Sequence, residues 1–274
     1  MDNTRRNLLI GGSIFGACAI GGLLPSACAM LQINRKQAMS KGGIPKRPEG
    51  EAKPMLEEDI APVLERLDAW YDANLDADKY VFNPPTTDAH LDAFEQLVGL
   101  RLPRSYRQLY KWHDGENDDR WGHIYGLPLL SLKHATADWK SWTRTLATFG
   151  GNRYAVPGGA WPKGAVDSAY INPRWIPLTN DGSGGHVGLD FDPWPGGRIG
   201  QVILFGRDED VKVVLAESLG HFLDWVAKLL EGGNFRLKTA SDEVVLRQFR
   251  LKEPRVDDFH EGARILLGAP GQFL

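Results

Sequence analysis

The sequence predicts an α+β fold in which helices flank a mostly antiparallel, twisted sheet. Apolar residues recur at helical spacing between about residues 57 and 113, whereas four short apolar runs with strand-like composition lie between 175 and 216. A strongly amphipathic segment then follows Ser218. The link at 206–210 ("GRDED") is too short for a crossover helix, so consecutive strands are expected to form hairpins.

Three helices are predicted before the sheet. The first runs from about 57 to 74, the second starts after the N-cap cluster at 86–88, and the third follows Pro103 and ends near Gly115. The pattern then predicts the following segments in order: a strand over about 121–132, a helix over about 135–149 and a Gly/Pro-rich loop over 150–174.

The sheet and its closing helix come next. Strands are predicted at the following positions: 175–178, 186–191, 201–205 and 211–216. Ser218 is expected to cap a final helix that ends at Gly232-Gly233. After it, the sequence predicts one strand-like run, "VVLRQFRLK", and then a weakly structured tail.

The N-terminus predicts export. Residues 1–29 resemble a twin-arginine signal peptide, with Arg5 and Arg6 before an apolar run and a cleavage site at Ala27 to Ala29. A retained membrane anchor and lipidation at Cys28 are the alternatives. The sequence predicts a bacterial protein of the periplasm or cell envelope, and cleavage after Ala29 would leave a mature form with no cysteine and hence no disulfide.

The rest of the chain divides into three parts. Residues 30–54 are polar and rich in Gly and Pro, which predicts a flexible linker. Residues 55–232 carry the periodic pattern of one folded domain, and 233–274 form a C-terminal extension. The net charge of −3 provides no electrostatic footprint for nucleic acid.

No catalytic constellation is recognisable. Ser183 in "NDGSGG" lacks the glycine pattern of a nucleophile elbow, and Asp181, Asp190 and Asp192 lack the spacing of a calcium loop. The histidines form no metal-binding cluster and no nucleotide-binding motif is present, so neither a metal nor a cofactor is predicted. An envelope hydrolase using Asp190, Asp192 or His186 is the least favoured hypothesis.

Acidic residues with nearby tryptophans predict a protein-binding face, because aromatic rings supply contact area and charges steer a partner. The candidates are Trp112, Asp114, Glu116, Asp118, Asp119, Trp175, Asp181, Asp190, Asp192 and Trp194.

The order of motifs resembles the SUKH superfamily, the domain of the fungal Smi–Knr cell-wall-assembly regulators. The similar stretches are "FEQLVGLRLPRSYRQLYKWHDGEND", "WIPLTNDGSGGHVGLDFDPWPGGRIGQVILF" and "VVLAESLGHFLDWV", and the match extends over about 57–231. The resemblance implies a non-catalytic domain that binds a protein partner. The leading hypothesis is an immunity protein that neutralises a toxin effector acting at the envelope, and the alternative is a scaffold for cell-envelope or cell-wall assembly.

Overall fold

A computed structural model describes residues 46–117, 122–154, 158–237 and 249–272. The predicted signal residues Arg5, Arg6, Ala27, Cys28 and Ala29 lie outside these ranges. So do Asp118 and Asp119 of the predicted binding face.

The described residues confirm the α+β class. The helices are α1 Ala61–Asn74, α2 Asp88–Val98, α3 Arg104–Trp112, α4 Leu132–Thr148, α5 Leu219–Glu231 and α6 Phe259–Leu267. The strands are β1 Gly159–Trp161, β2 Trp175–Pro177, β3 Gly185–Asp190, β4 Gln201–Gly206, β5 Val211–Ala216, β6 Arg236–Leu237 and β7 Phe249–Arg250. In the described ranges, no helix combines the length and apolar character that a membrane crossing requires.

The main sheet has the strand order β1-β5-β4-β3-β2. The four predicted strands, β2 to β5, pair antiparallel through hairpins, as the short connections indicate. The sheet also contains β1, which lies in the predicted 150–174 loop and pairs parallel with β5, with Gly159 opposite Val211. The three residues Gly-Ala-Trp are too few to show a strand period in the sequence, so only their pairing with the distant β5 identifies them as a strand.

Four of the described helices begin at a side-chain cap. The hydroxyl of Thr87 accepts a hydrogen bond from the backbone N–H of His90, and that of Ser218 accepts one from the backbone N–H of His221. Ser131 caps α4 in the same way, so this helix begins earlier than the sequence pattern predicts. The predicted strand over 121–132 is wrong, because its described residues make only isolated bridges, Ile124 with Leu127 and Leu129 with Thr179.

Both faces of the sheet are covered. On one face, Val187, Leu189 and Val213 join a large core with the buried side of α5 and with α1 and α3. On the other face, Ile203 and Phe205 pack with Trp175 and the 165–169 segment in a second, smaller cluster. Because side chains alternate along a strand, residues adjacent in sequence serve different layers.

The C-terminal segment contains α6, where the sequence predicts a weakly structured tail. Asp258 caps α6, and Phe259 and Ala263 belong to the large core. Glu209, from the β4–β5 turn, accepts a hydrogen bond from Nδ1 of His260 at 3.0 Å and one from Arg264. All three side chains are buried, so they fasten α6 to the sheet through a desolvated ionic contact.

Replacing Glu209 tests this contact. Glu209→Gln leaves Arg264 without its buried counter-charge, and we expect a loss of about 3 kcal/mol in the free energy of unfolding. Urea denaturation measures it. The control is Glu261→Gln on the exposed side of α6, which we expect to change stability by less than about 0.5 kcal/mol. Equal effects of the two substitutions would show that the ion pair does not hold α6.

Candidate functional site

The end of β3 carries a buried carboxylate, Asp190. Its Oδ1 accepts hydrogen bonds from the indole Nε1 of Trp175 at 3.1 Å and the backbone N–H of Asp192 at 2.9 Å. Its Oδ2 accepts one from Nε2 of Gln201 at 3.0 Å. Trp175 and Gln201 lie opposite Asp190 on the neighbouring strands, so one side chain links β2, β3 and β4.

Burial decides the electrostatics of this group. Removal from water raises the pKa of Asp190 to about 7, against the opposing effect of its hydrogen-bond donors. A carboxyl that titrates near neutrality has the property expected of a general acid or base. Asp190 is completely buried, however, and its oxygens are committed to side-chain and backbone donors.

Asp192 belongs to a second polar network at the edge of the same region. Its carboxylate accepts hydrogen bonds from Arg47 at 2.9 Å, Arg153 at 3.0 Å and Asn172 at 3.1 Å. Arg153 also binds Asp167, which belongs to the segment between β1 and β2. These bonds lower the pKa of Asp192 despite the opposing effect of its partial burial. The network joins residues from distant parts of the chain, including the end of the predicted linker.

Asp181 organises its own turn. Its carboxylate accepts hydrogen bonds from the backbone N–H of Ser183 and Gly185 at 2.7 and 2.8 Å, and from the Ser183 hydroxyl at 2.7 Å. Gly182 and Gly184 have positive φ angles of 79° and 98°, which glycine adopts without strain. The "NDGSGG" stretch is therefore the turn between β2 and β3, as the sequence predicts.

His186 is held in one neutral tautomer. Its Nδ1 donates to the backbone oxygen of Thr179 at 2.8 Å, and its Nε2 accepts from the indole N–H of Trp142 at 3.0 Å. Burial lowers the pKa of this imidazole. Both ring nitrogens are engaged inside the fold, which leaves neither for a metal or for proton transfer to a substrate.

The other predicted acidic group lies at the loop before α4. The Oε1 atom of Glu116 accepts hydrogen bonds from the backbone N–H of His123 at 3.1 Å and of Leu129 at 2.8 Å, so it ties the two ends of this loop together. Burial raises the pKa of Glu116 against the attraction of the nearby His123 ring. Asp114 accepts from the backbone N–H of Leu132, and Trp112 donates to Asp68.

The predicted binding residues thus separate into two groups. Trp175, Asp190 and Asp192 meet at the end of β3, whereas Trp112, Asp114 and Glu116 lie around the end of α3. Four of the predicted binding residues are buried, which corrects the expectation that they form part of an accessible binding face: Glu116, Trp175, Asp190 and Trp194. Their contacts are within the domain. A role in partner contact stays a prediction for the more accessible positions Trp112, Asp114, Asp181 and Asp192.

Sequence reasoning missed two polar residues of this region. Gln201 directly follows the turn, and the hairpin register that pairs it with Asp190 was the available signal. Lys212 is fully buried, donates to the backbone oxygen of Glu209 at 2.7 Å, and lies 5.9 Å from the Trp175 ring centroid. Burial lowers the pKa of its ammonium to about 8. Its position in the apolar strand "VKVVLA" was the only sequence signal.

The described part of the chain contains no group of three or more His, Cys, Asp and Glu side chains arranged to hold a metal ion. The arrangement around Asp190 is therefore best described as a polar clamp between strands. Here, "polar clamp" denotes Asp190 with Trp175 and Gln201.

Comparison with known families identifies the fold. The model of the SMI1 / KNR4 family (SUKH-1) matches residues 85–225, just over half of the chain. The chain belongs to this family. The match runs from just before α2 into α5 and includes the polar clamp and the acidic residues before α4. It confirms the resemblance that the sequence motifs indicated.

Relatives of this SMI1/KNR4 member are fungal proteins. The chain is 34% identical over 200 residues to the cell wall biosynthesis/cell cycle regulator smi1 of Schizosaccharomyces pombe, covering 69% of the chain and 39% of that protein. It is 29% identical over 214 residues to the cell wall assembly regulator SMI1 of Saccharomyces cerevisiae, covering 64% and 42%. The glucan synthesis regulatory protein of Neurospora crassa is 28% identical over 223 residues, covering 70% and 42%. The chain thus spans about two fifths of these relatives.

These relatives overturn the predicted location. A bacterial periplasmic or envelope protein was expected from residues 1–29, but the similar proteins are cell-wall regulators of fungi, which are eukaryotes. The expectation rested on a short leader-like pattern outside the described residues. The comparison rests on 200 or more aligned residues for each of the three relatives and has greater weight.

The pH dependence of stability tests the polar clamp. The pKa of Asp190 is higher in the folded state, about 7, than the usual 3.8, so the folded protein binds more protons between these values. The stability that the Asp190 carboxyl contributes is therefore present at low pH and is lost as pH rises through about 7. Asp190→Asn removes this titration.

We expect the stability advantage of the wild type over Asp190→Asn to shrink by about 2 kcal/mol between about pH 5 and pH 8. Denaturant unfolding at both pH values measures it. Asp72→Asn, at an exposed position on α1, serves as the control and should show no such change. A constant difference for Asp190→Asn would show that its carboxyl does not titrate in this interval.

Proposed function

We propose that the chain is a non-catalytic, protein-binding domain that regulates cell-wall assembly. The main support is the match of residues 85–225 to the SMI1 / KNR4 family. Relatives that align over most of the chain are named as regulators of cell-wall assembly or glucan synthesis, and none of these names describes an enzyme. Regulation without catalysis requires contact with other macromolecules, and a protein is the simplest class of partner.

The geometry supports a non-catalytic role. Of the three residues considered for hydrolysis, Asp190 and His186 are buried with their polar atoms engaged by the fold. The negative charge of Asp192 is balanced by two arginines, and Asn172 donates a further hydrogen bond to it. A general base has to reach a substrate proton within hydrogen-bond distance, and the described positions of Asp190 and His186 do not permit this.

The relatives favour wall assembly over toxin neutralisation. The immunity role followed from the bacterial branch of the resemblance and from export, whereas the named relatives are fungal wall regulators. No toxin partner is indicated by any of these names. We therefore place the assembly role first, with a protein of the wall-building machinery as the partner class.

Gene deletion tests the function. We expect cells lacking the gene to have an altered wall polysaccharide composition in pure culture, and the full chain to restore it. Chromatography of hydrolysed walls provides the measurement. An unchanged wall in deleted cells, with survival reduced only beside a competing strain, would support the toxin-neutralising role.

A conservative substitution separates binding from catalysis. Asp192→Asn retains the shape of the most accessible candidate carboxylate and removes its charge. We expect this variant to restore wall composition as well as the wild type, because a scaffold needs no titrating group there. Failure of rescue by a folded Asp192→Asn protein that still binds its partner, with folding confirmed by circular dichroism and thermal unfolding, would favour an enzyme.

A further inference from the structure

A groove of about 400 Å³ lies between α2 and the start of α4. Its lining includes Ala93, Phe94 and Leu97 from α2, and Leu132, Lys133 and Thr136 from α4. The side chain of Leu97 is 39% exposed, which is high for a leucine beside a packed core. The groove thus presents an apolar floor to solvent.

The α2 side of the groove carries no acidic residue. His90, Ala93 and Leu97 are spaced by three and four residues and so share one side of the helix. The acidic residues of α2 are directed to α3, where Asp88, Asp92 and Glu95 contact Arg107. Asp114 also lines the groove, but its Oδ1 accepts from the backbone N–H of Leu132 at 2.7 Å.

Positive charge begins at the α4 side of the groove with Lys133, which lines it, and continues along the helix. Lys133, Ala137, Lys140 and Arg144 are separated by four, three and four residues, which places them in one stripe along the helix. All four residues are exposed. We call Lys133, Lys140 and Arg144 the basic stripe. The only acidic residue of α4, Asp138, bonds to Asn180.

The basic stripe has no acidic partner within the described part of the chain. The Arg144 Nε donates to the backbone oxygen of Lys140 at 3.1 Å, and the structure shows no ion pair to any of the three cations. Elsewhere, exposed cations such as Arg104 and Lys111 form ion pairs with nearby carboxylates. Three positive charges along one face of a single helix, in a chain whose net charge is −3, therefore make this surface locally basic.

We propose that the groove and the basic stripe together dock an acidic, amphipathic segment of a partner protein. This inference rests on the proposed function and identifies the surface and the partner chemistry. Apolar side chains of the segment would enter beside Leu97 and Leu132, and its carboxylates would contact Lys133, Lys140 and Arg144. Such a helix-in-groove arrangement obtains affinity from the apolar anchors and register from the charges.

Residues 30–45 of this chain do not have the required chemistry. They contain Arg35, Lys36 and Lys41 and no acidic residue. Their charge has the same sign as that of the basic stripe, so they would be repelled by it. Residues 30–45 therefore do not supply the complementary charge, and we assign it to a partner protein.

A synthetic peptide tests the surface. The probe has about 18 residues, with Leu at helical spacing on one side and Glu on the other, and a matched peptide carries Lys in place of Glu. Fluorescence anisotropy measures binding to the full chain. We expect saturable binding of the acidic peptide and at least about tenfold weaker binding of the basic one.

Two variants locate the binding. The first is a triple variant that reverses the charge of the basic stripe: Lys133→Glu, Lys140→Glu and Arg144→Glu. It should weaken binding of the acidic peptide by about tenfold or more. The matched control combines Lys163→Glu, Lys252→Glu and Arg255→Glu, which change the net charge equally at exposed positions outside the groove. Leu97→Gln should also weaken binding, since it removes an apolar anchor without affecting the charges.

The outcomes separate this inference from the proposed function. No saturable peptide binding, equal loss in the two triple variants, or tighter binding to anionic phospholipid vesicles than to the peptide would overturn the docking surface. Self-association abolished by the stripe variant would assign the surface to a second copy instead. In deleted cells, the stripe variant should fail to restore the wall while the control restores it. Rescue by both would overturn the inference and leave the proposed function intact.

Discussion

The fold depends on a single buried carboxylate that holds three strands together. Asp190 binds Trp175 on β2 and Gln201 on β4, and Gln201 continues the connection to the backbone oxygen of Ala165. Ala165 belongs to the layer that covers the second face of the sheet. A buried polar group is tolerated only when it is hydrogen-bonded, and here the bonds that satisfy Asp190 also fix the relative positions of the strands and of this layer.

This arrangement gives the polar residues of the central hairpin a structural role. Acidic and aromatic residues at a strand end have the composition of a binding or catalytic site. In the structure they satisfy one another, as the His186 ring does with Trp142 and Thr179. The helical layer formed by α2 and α4 offers a further surface, whose outer side combines apolar exposure at Leu97 with the positive charges of the basic stripe. The proposed docking of a partner on these helices would leave the rigid sheet undisturbed.

Sequence periodicity located most elements because their packing is one-sided. The face of α5 that meets the sheet repeats at helical spacing, and the hairpin strands β2 to β5 have short connections that leave little choice of pairing. The elements that were missed have no such period. β1 is three residues long and pairs with β5 about fifty residues later, and α6 follows a region without regular pattern. The link at 206–210 was expected only to join two strands, but Glu209 in it is buried because α6 supplies its cationic partners.

The sequence by itself determined the α+β class, the hairpin order of the central sheet, the capped helices and the family, because these follow from local spacing and from ordered motifs. Only the tertiary structure decided which polar side chains face solvent. That depends on partners far apart in the chain, such as Arg47 and Arg153 on Asp192, or Arg264 on Glu209. The sequence does not reveal whether water or an arginine surrounds the carboxylate of an acidic residue. The free-energy difference between these two environments arises from desolvation in the folded state.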